Sequence, residues 1–345
     1  MNQYGFLKVA AAVPHVEVAD CDFNAGRILS LMEQAATRGV EIIAFPELSL
    51  TAYTCGDLML QPTLLNGAEE ALETLIRKSR KLPLVGIVGA PLRHGSAIYN
   101  CAVVFSQGKV LGVVPKSYIP DYSEFFENRV FTSGAGITDD RIIVAGEECD
   151  FGVDLTFQIN GAEFGVEICE DLWVARQPSS QLTLDGAKII FNLSSEAEMV
   201  GKYGYLSGLV CEQSSRMVGA YVYSSSGFGE STTDLAYAGN AFVAENGYML
   251  AYSERFSMEE QLIVADVDVE LLLAERQRRN TFDMGYDVRK FALTNLDVAP
   301  NAVASVDRYI EAMPFVPEDS QALALRCEEV FSMQSFGLAK RLKHT

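Results

Sequence analysis

The chain has 345 residues, 49% of them apolar, and a formal net charge of −19. That length accommodates one large core or two ordinary ones. The excess of carboxylates repels phosphate backbones and anionic lipid, which argues against nucleic acid and membrane surfaces and for a small polar substrate or a protein partner. Seven scattered cysteines show neither CxxC nor zinc-finger spacing and fit free thiols in a reducing compartment better than a disulfide framework or a structural metal. The N-terminus lacks a basic and apolar leader, and no run approaches the ~20 apolar residues that span a bilayer, so a cytoplasmic location is expected.

Short apolar runs rich in Val, Ile, Phe and Tyr, bounded by Gly, Pro or Asn, carry the strand signature along the chain. A strand is expected near 7–13, then a helix at 24–38, where Ile28, Leu31, Met32, Ala35 and Ala36 recur at spacings of three and four. A strand near 41–46 and a helix at 66–81 follow, then strands near 84–90, 98–105 and 110–115. Four more strands, near 141–145, 153–159, 163–168 and 188–193, precede a third helix at 203–218. The regular pattern closes with strands near 219–224, 240–245, 248–252 and 262–267. Asn160-Gly161 and Asn246-Gly247 predict tight hairpins, because both central residues of such a turn must tolerate positive φ. Hairpins mixed with strand–helix–strand units predict layered α/β packing with helices outside the sheets. No GxGxxG follows the first strand, so a doubly wound dinucleotide-binding sheet is not expected.

Composition shifts near Asp297-Val298-Ala299-Pro300-Asn301, which divides the chain into a domain at 1–300 and a connecting segment at 301–345. The segment holds a helix from about 318 that ends in Lys340-Arg341-Leu342-Lys343-His344. Such a basic helix either packs on its own domain or leads toward another.

Three strand ends carry chemistry. Val166-Glu167-Ile168-Cys169-Glu170-Asp171 ends an apolar run in a thiol followed by two carboxylates. The usual partner of a nucleophilic cysteine is histidine, but His15, His94 and His344 all lie outside any segment of this kind. Phe45-Pro46-Glu47 and Val114-Pro115-Lys116 end two other strands in an acid and an ammonium. Ligands of α/β sheets bind beyond the carboxyl ends of strands, so acid, lysine and thiol can share one crevice. Glu47 would take the thiol proton and return it to a leaving amine, a role worth roughly 10²–10⁴ in rate. Lys116 would stabilise the tetrahedral oxyanion together with the backbone N–H of Glu170. Taken singly, each residue has a plainer reading: a buried small hydrophobe, a turn carboxylate, a surface cap.

Together these segments closely resemble the nitrilase superfamily of C–N hydrolases. The longer stretches Phe45–Leu58, Pro115–Pro120, Ile168–Trp173 and Glu230–Tyr237 are similar to the glutaminase domains of glutamine-dependent NAD⁺ synthetases, and the resemblance covers about 1–345. It implies an α-β-β-α sandwich with mixed sheets, a Glu47-Lys116-Cys169 triad, and Glu127 as the further glutamate that many members place beside it. For a bound glutamine it implies walls from Tyr53, Tyr122, Phe125 and Glu170. The amino-acid end would meet the segment after Asn192-Leu193-Ser194, where Ser195, Glu196 and Lys202 stand. Here the chain departs from relatives that carry a small residue or serine and then arginine; a lysine offers a carboxylate only a point charge.

The family also implies a second, ATP- and Mg²⁺-dependent synthetase domain that receives the ammonia, whereas the glutaminase half needs no cofactor and no metal. No Ser-Gly-Gly-x-Asp-Ser loop and no GxxxxGK[ST] occurs in these 345 residues, so the expectation is the amino-terminal part of a longer protein. Homo-oligomers are expected by the same resemblance. The alternatives are a free-standing amidase or carbamoylase acting on another small amide, and a partner-binding scaffold without turnover.

Overall fold

The computed structural model describes residues 4–233, 235–282, 292–296 and 306–344. In chain order its strands begin with β1 (Phe6–Val13), β2 (Ile42–Ala44), β3 (Val85–His94), β4 (Ala97–Ser106), β5 (Lys109–Pro115), β6 (Asp140–Val144), β7 (Glu147–Phe151) and β8 (Leu155–Ile159). They continue with β9 (Ala162–Ile168), β10 (Ile189–Ser194), β11 (Ala220–Ser225), β12 (Ala241–Glu245), β13 (Tyr248–Tyr252), β14 (Gln261–Asp268) and β15 (Ala292–Leu296). One sheet has the order β14-β1-β2-β3-β4-β5-β7-β6 and the other β13-β12-β11-β10-β9-β8-β15, each mixing parallel and antiparallel pairs.

Period-two alternation sorts the side chains of each strand between two cores. From β1, Val9 and Ala11 face a core shared with Phe164, Phe191, Val222 and Val243 of the other sheet. Ala10 and Ala12 of the same strand face a second core beneath α1 (Cys21–Thr37) and α2 (Pro62–Lys78), filled by Ile28, Met32, Leu72 and Leu75. On the far side, Ile190, Tyr221 and Phe242 meet Leu182 of α3 (Pro178–Asp185) and Leu206 and Val210 of α4 (Lys202–Met217). The result is helix, sheet, sheet, helix, the sandwich expected. Strands buried on both faces explain why so many read as continuous apolar runs.

Both Asn-Gly turns form with positive φ at each centre, 50° and 81° at Asn160-Gly161 and 46° and 93° at Asn246-Gly247. The sequence reading misses β7, β15, α3 and α5 (Val269–Arg278). β7 reads Glu-Glu-Cys-Asp-Phe and shows little apolar alternation, and its hairpin with β6 turns on Ala145-Gly146 rather than Asn-Gly.

The chain forms two compact units, Met1–Asp307 and Arg308–Thr345. The second contains α6 (Ser320–His344), in which no residue is buried. The boundary expected at 300/301 lies outside the described residues, as do Asp234 and the Asp297–Asn301 segment.

Candidate active site

The three strand ends meet because of topology. β2 runs parallel to β3, β3 antiparallel to β4, and β4 antiparallel to β5, so β2 and β5 point the same way. In the second sheet β9 and β10 run parallel. β2 packs against β10 and β11, while β4 and β5 pack against β9. Glu47 follows β2, Lys116 follows β5 and Cys169 follows β9, so all three emerge at one seam between the sheets. Gly89 lets β3 pass the Glu47 turn, since a Cβ there would stand 2.2 Å from the backbone N of Leu48.

Lys116 is fully buried between two carboxylates. Its Nζ donates to Glu47 Oε1 at 2.7 Å and to Glu127 Oε1 and Oε2 at 2.7 and 2.8 Å. Burial opposes the charge, but the two carboxylates more than offset it and hold the ammonium well above the usual lysine range. Asn100 Nδ2 also donates to Glu47 Oε1, at 2.7 Å. Glu47 Oε2 is buried without a hydrogen-bond partner, a free acceptor on an otherwise anchored acid. Burial raises the Glu47 carboxyl to about 8, with Lys116 opposing and Glu127 reinforcing the shift. A base that titrates near the working pH is well matched to proton transfer.

Cys169 occupies a left-handed backbone conformation, φ 45°. For a non-glycine residue that geometry costs roughly 1–2 kcal/mol and persists only where the surroundings fix it. Two side chains do so. Asn192 Oδ1 accepts the Cys169 backbone N–H at 3.2 Å. Asp171 accepts from the backbone N–H of Ile168 at 3.0 Å and of Tyr118 at 2.9 Å, tying the thiol turn to the segment that carries Lys116. Burial raises the thiol well above its usual range; the charge of Glu47 adds to the shift and Lys116 opposes it. The resting sulfur is therefore held as a thiol, and to act as a nucleophile it would need a base to take its proton.

Glu127 and Tyr53 line the same region. The Tyr53 hydroxyl donates to Glu127 at 3.0 Å, and Tyr53 and Glu127 face a cavity of about 500 Å³ with Tyr237 and Glu124. Tyr122 donates to Glu170 at 2.9 Å and packs edge-on against Phe125, with ring centroids 5.6 Å apart. Glu196 Oε2 lies 3.9 Å from the Cys169 sulfur, and Glu196 is bonded to Lys202. The Ser195 hydroxyl instead donates to Ser226 at 2.9 Å, within a chain that runs to Glu230. Glu230 also accepts the Tyr53 and Thr54 backbone N–H groups at 2.9 and 3.0 Å, which clamps two loops of the cavity wall.

Sequence reasoning assigned no role to Asn100, Asn192, Asp171 or Glu230. A signal for the first two exists: each asparagine interrupts an apolar strand run, and a buried polar residue there requires a partner.

Comparison with known proteins finds relatives in sequence and in fold. Residues 8–277 match the carbon-nitrogen hydrolase family. A glutamine-dependent NAD(+) synthetase of Mycobacterium tuberculosis (strain H37Rv) is 41% identical over 99% of this chain and 51% of the relative. The solved glutamine-dependent NAD(+) synthetase of Cytophaga hutchinsonii superposes with a TM-score of 0.69 at 26% identity, over 76% of this chain and 43% of that one. A variant of a nitrilase-superfamily amidase from Nesterenkonia AN1 shares the fold, with a TM-score of 0.62 at 15% identity over 80% of this chain and 96% of that one. The chain spans about half the length of the synthetases it matches.

Proposed function

Because the chain belongs to the carbon-nitrogen hydrolase family, we propose that it hydrolyses the side-chain amide of L-glutamine to glutamate and ammonia through a Cys169 thioester. The observation that carries this reading is the buried Lys116 ammonium held between Glu47 and Glu127 at the strand ends that flank Cys169. Likeness to glutamine-dependent synthetases over 99% of this chain supports the choice of amide.

In this reaction the Cys169 sulfur attacks the amide carbon while its proton passes to the free Oε2 of Glu47. The oxyanion is met by the Lys116 ammonium and the backbone N–H of Glu170, and removal of one such donor typically costs 10²–10³ in rate. Glu47 returns the proton to the departing nitrogen, ammonia leaves, and Cys169 holds the acyl group as a thioester. Water, deprotonated by Glu47, then cleaves it. Glu127 fixes Lys116 and keeps it charged; Tyr53 orients Glu127. Tyr122, Phe125 and Glu170 form the wall against the substrate chain.

The ammonia would serve an ATP-dependent amidation of nicotinic acid adenine dinucleotide by a synthetase domain. ATP and Mg²⁺ belong to that domain, and no step of the hydrolysis passes through them. A homo-oligomer in the cytoplasm fits the same reading. Among the described residues, no helix is long and apolar enough to cross a membrane.

The test is covalent. A glutamine-like diazo-ketone should add one adduct to Cys169, read by intact mass and peptide mapping, and Cys169→Ala should abolish both the adduct and ammonia release. Labelling that survives the substitution sinks the assignment of the nucleophile.

A further inference from the structure

We infer that Asn100 is a positioning residue that selects which oxygen of Glu47 serves as the base: together with Lys116 it occupies Oε1, and it leaves Oε2 for the thiol proton. The inference rests on the thioester reading above and adds to it a residue, outside Glu47, Lys116 and Cys169, that governs where the proton travels.

Asn100 stands in the middle of β4. Along that strand Cys101, Val103 and Phe105 belong to the core beneath the helices, whereas Ala102 and Val104 belong to the core between the sheets. Alternation therefore puts Asn100 on the inter-sheet face, at the seam. Its Nδ2 donates to Glu47 Oε1 at 2.7 Å, and its backbone carbonyl accepts the Lys116 N–H at 2.8 Å. Lys116 Nζ donates to the same Oε1 at 2.7 Å. One residue thus sets acid and lysine against each other, with its side chain on one and its main chain on the other.

The amide is kept there at a cost. Asn100 is 1% exposed, and its Oδ1 is buried without a hydrogen-bond partner, which is unfavourable. Turning the amide over would press Oδ1 against the carboxylate, so Glu47 selects the donor end. The unsatisfied acceptor is explained if that donor end serves the reaction.

Two donors on Oε1 decide where a proton can settle. On that oxygen it would face an ammonium and an amide N–H, whereas Oε2 meets no donor. The proton from the Cys169 sulfur therefore lodges on Oε2 and is returned from there to the departing nitrogen. Without the amide, Lys116 alone holds the carboxylate, which can swing about that one bond and offer either oxygen.

The amide also favours the charged form of Glu47 and so opposes the burial that lifts this carboxyl to about 8. The other titratable groups whose charges reach Glu47 are Lys116, Glu127, Cys169, Tyr53 and Tyr237. The two carboxylates hold Lys116 charged, and burial keeps the thiol and both phenols protonated. Loss of the amide is therefore read on Glu47.

The experiment uses the full chain with Asn100→Ala, and with the near-isosteric Asn100→Leu as a second variant should the first fail to fold, as judged by the urea midpoint. The pH dependence of kcat/KM is measured for ammonia release from L-glutamine, and that of the inactivation rate for a glutamine-like diazo-ketone. In both profiles the acidic limb should move upward by about one pH unit, as expected for the loss of one charge-assisted hydrogen bond to the carboxylate. Glu127→Gln removes a charge that raises Glu47 and should move the limb the other way. At the plateau, kcat should fall about 10–100-fold while KM changes by less than about threefold. An acidic limb that stays in place or moves downward, or a rise in KM that accounts for the whole loss of kcat/KM, overturns the assignment. Failure of the thioester reading gives a different result: Cys169→Ala would still release ammonia, whatever the Asn100 variants do.

Discussion

The side chain of Asn192 bridges Cys169 to Tyr221, accepting the cysteine backbone N–H at 3.2 Å and donating to the tyrosine hydroxyl at 2.9 Å. Tyr221 in turn donates to the buried carboxylate of Glu167, two residues before Cys169. The left-handed turn at Cys169 is thus secured from inside the sheet, by groups that never reach the substrate.

Asn192→Ala should therefore lower kcat about 10–100-fold while KM moves by less than about threefold, because misplacement of a nucleophile by an ångström is felt in the chemical step. Steady-state kinetics with L-glutamine makes the check. An unchanged kcat would remove Asn192 from the positioning of Cys169.

Glu127→Gln changes the acid–base balance of the site in a direction that can be worked out. The Glu127 charge pushes the Glu47 carboxyl upward. Removing it lowers that carboxyl from about 8, so the basic form persists to lower pH and the acidic limb of kcat/KM moves to lower pH. Maximal kcat should also fall about tenfold, as Lys116 loses the Glu127 charge and one of its three acceptors. A limb that moves upward would contradict the arrangement.

Asp171 links pH to stability. Burial and the nearby Glu167 raise its carboxyl from 3.8 to about 7 in the folded chain. Between those values the folded state holds a proton that the unfolded state has lost, so this group's contribution to stability is complete below about pH 4 and is lost as pH rises to about 7. At about 1.4 kcal/mol per unit, the loss reaches ~4 kcal/mol over that window. Asp171→Asn removes it, so the wild-type stability curve should fall more steeply from pH 4.5 to 8 than that of the variant, measured by urea midpoints. Parallel curves would refute the linkage.

Arg276 of α5 closes two helix ends. Its guanidinium donates to the carbonyls of Met217 and Val218 at the end of α4, and to Ala187 and Gly186 after α3. Arg276→Met should destabilise by ~3 kcal/mol, since several buried carbonyls lose their partners. The urea midpoint should fall with little change in slope, and activity per folded molecule should remain. A midpoint within error of the wild type would show that water replaces the arginine.

Much of this was legible in the sequence, for identifiable reasons. Strands buried on both faces announce themselves as apolar runs, and Asn-Gly turns specify their own backbone. The meeting of Glu47, Lys116 and Cys169 at one place was legible because each closes such a run, and because no histidine occupied the place of a partner. The strand β7 was not, as three of its five residues are acidic and only Cys149 and Phe151 are buried. Tertiary partnerships were hidden as well. The role of Asp171 depends on where the Lys116 segment passes, and Glu196 and Lys202, read as separate hands for the two ends of a substrate, hold each other at rest.

The seam between the sheets has one more consequence. Glu47 and Lys116 arrive with the first sheet and Cys169 with the second, so neither sheet carries the complete set of proposed catalytic groups. On the proposed mechanism, chemistry switches on only when the two faces dock, and the rate at which a refolding chain regains its thiol reactivity toward substrate would be a clock for that docking event. An early sheet with perfect strands but no partner would be silent in such an assay.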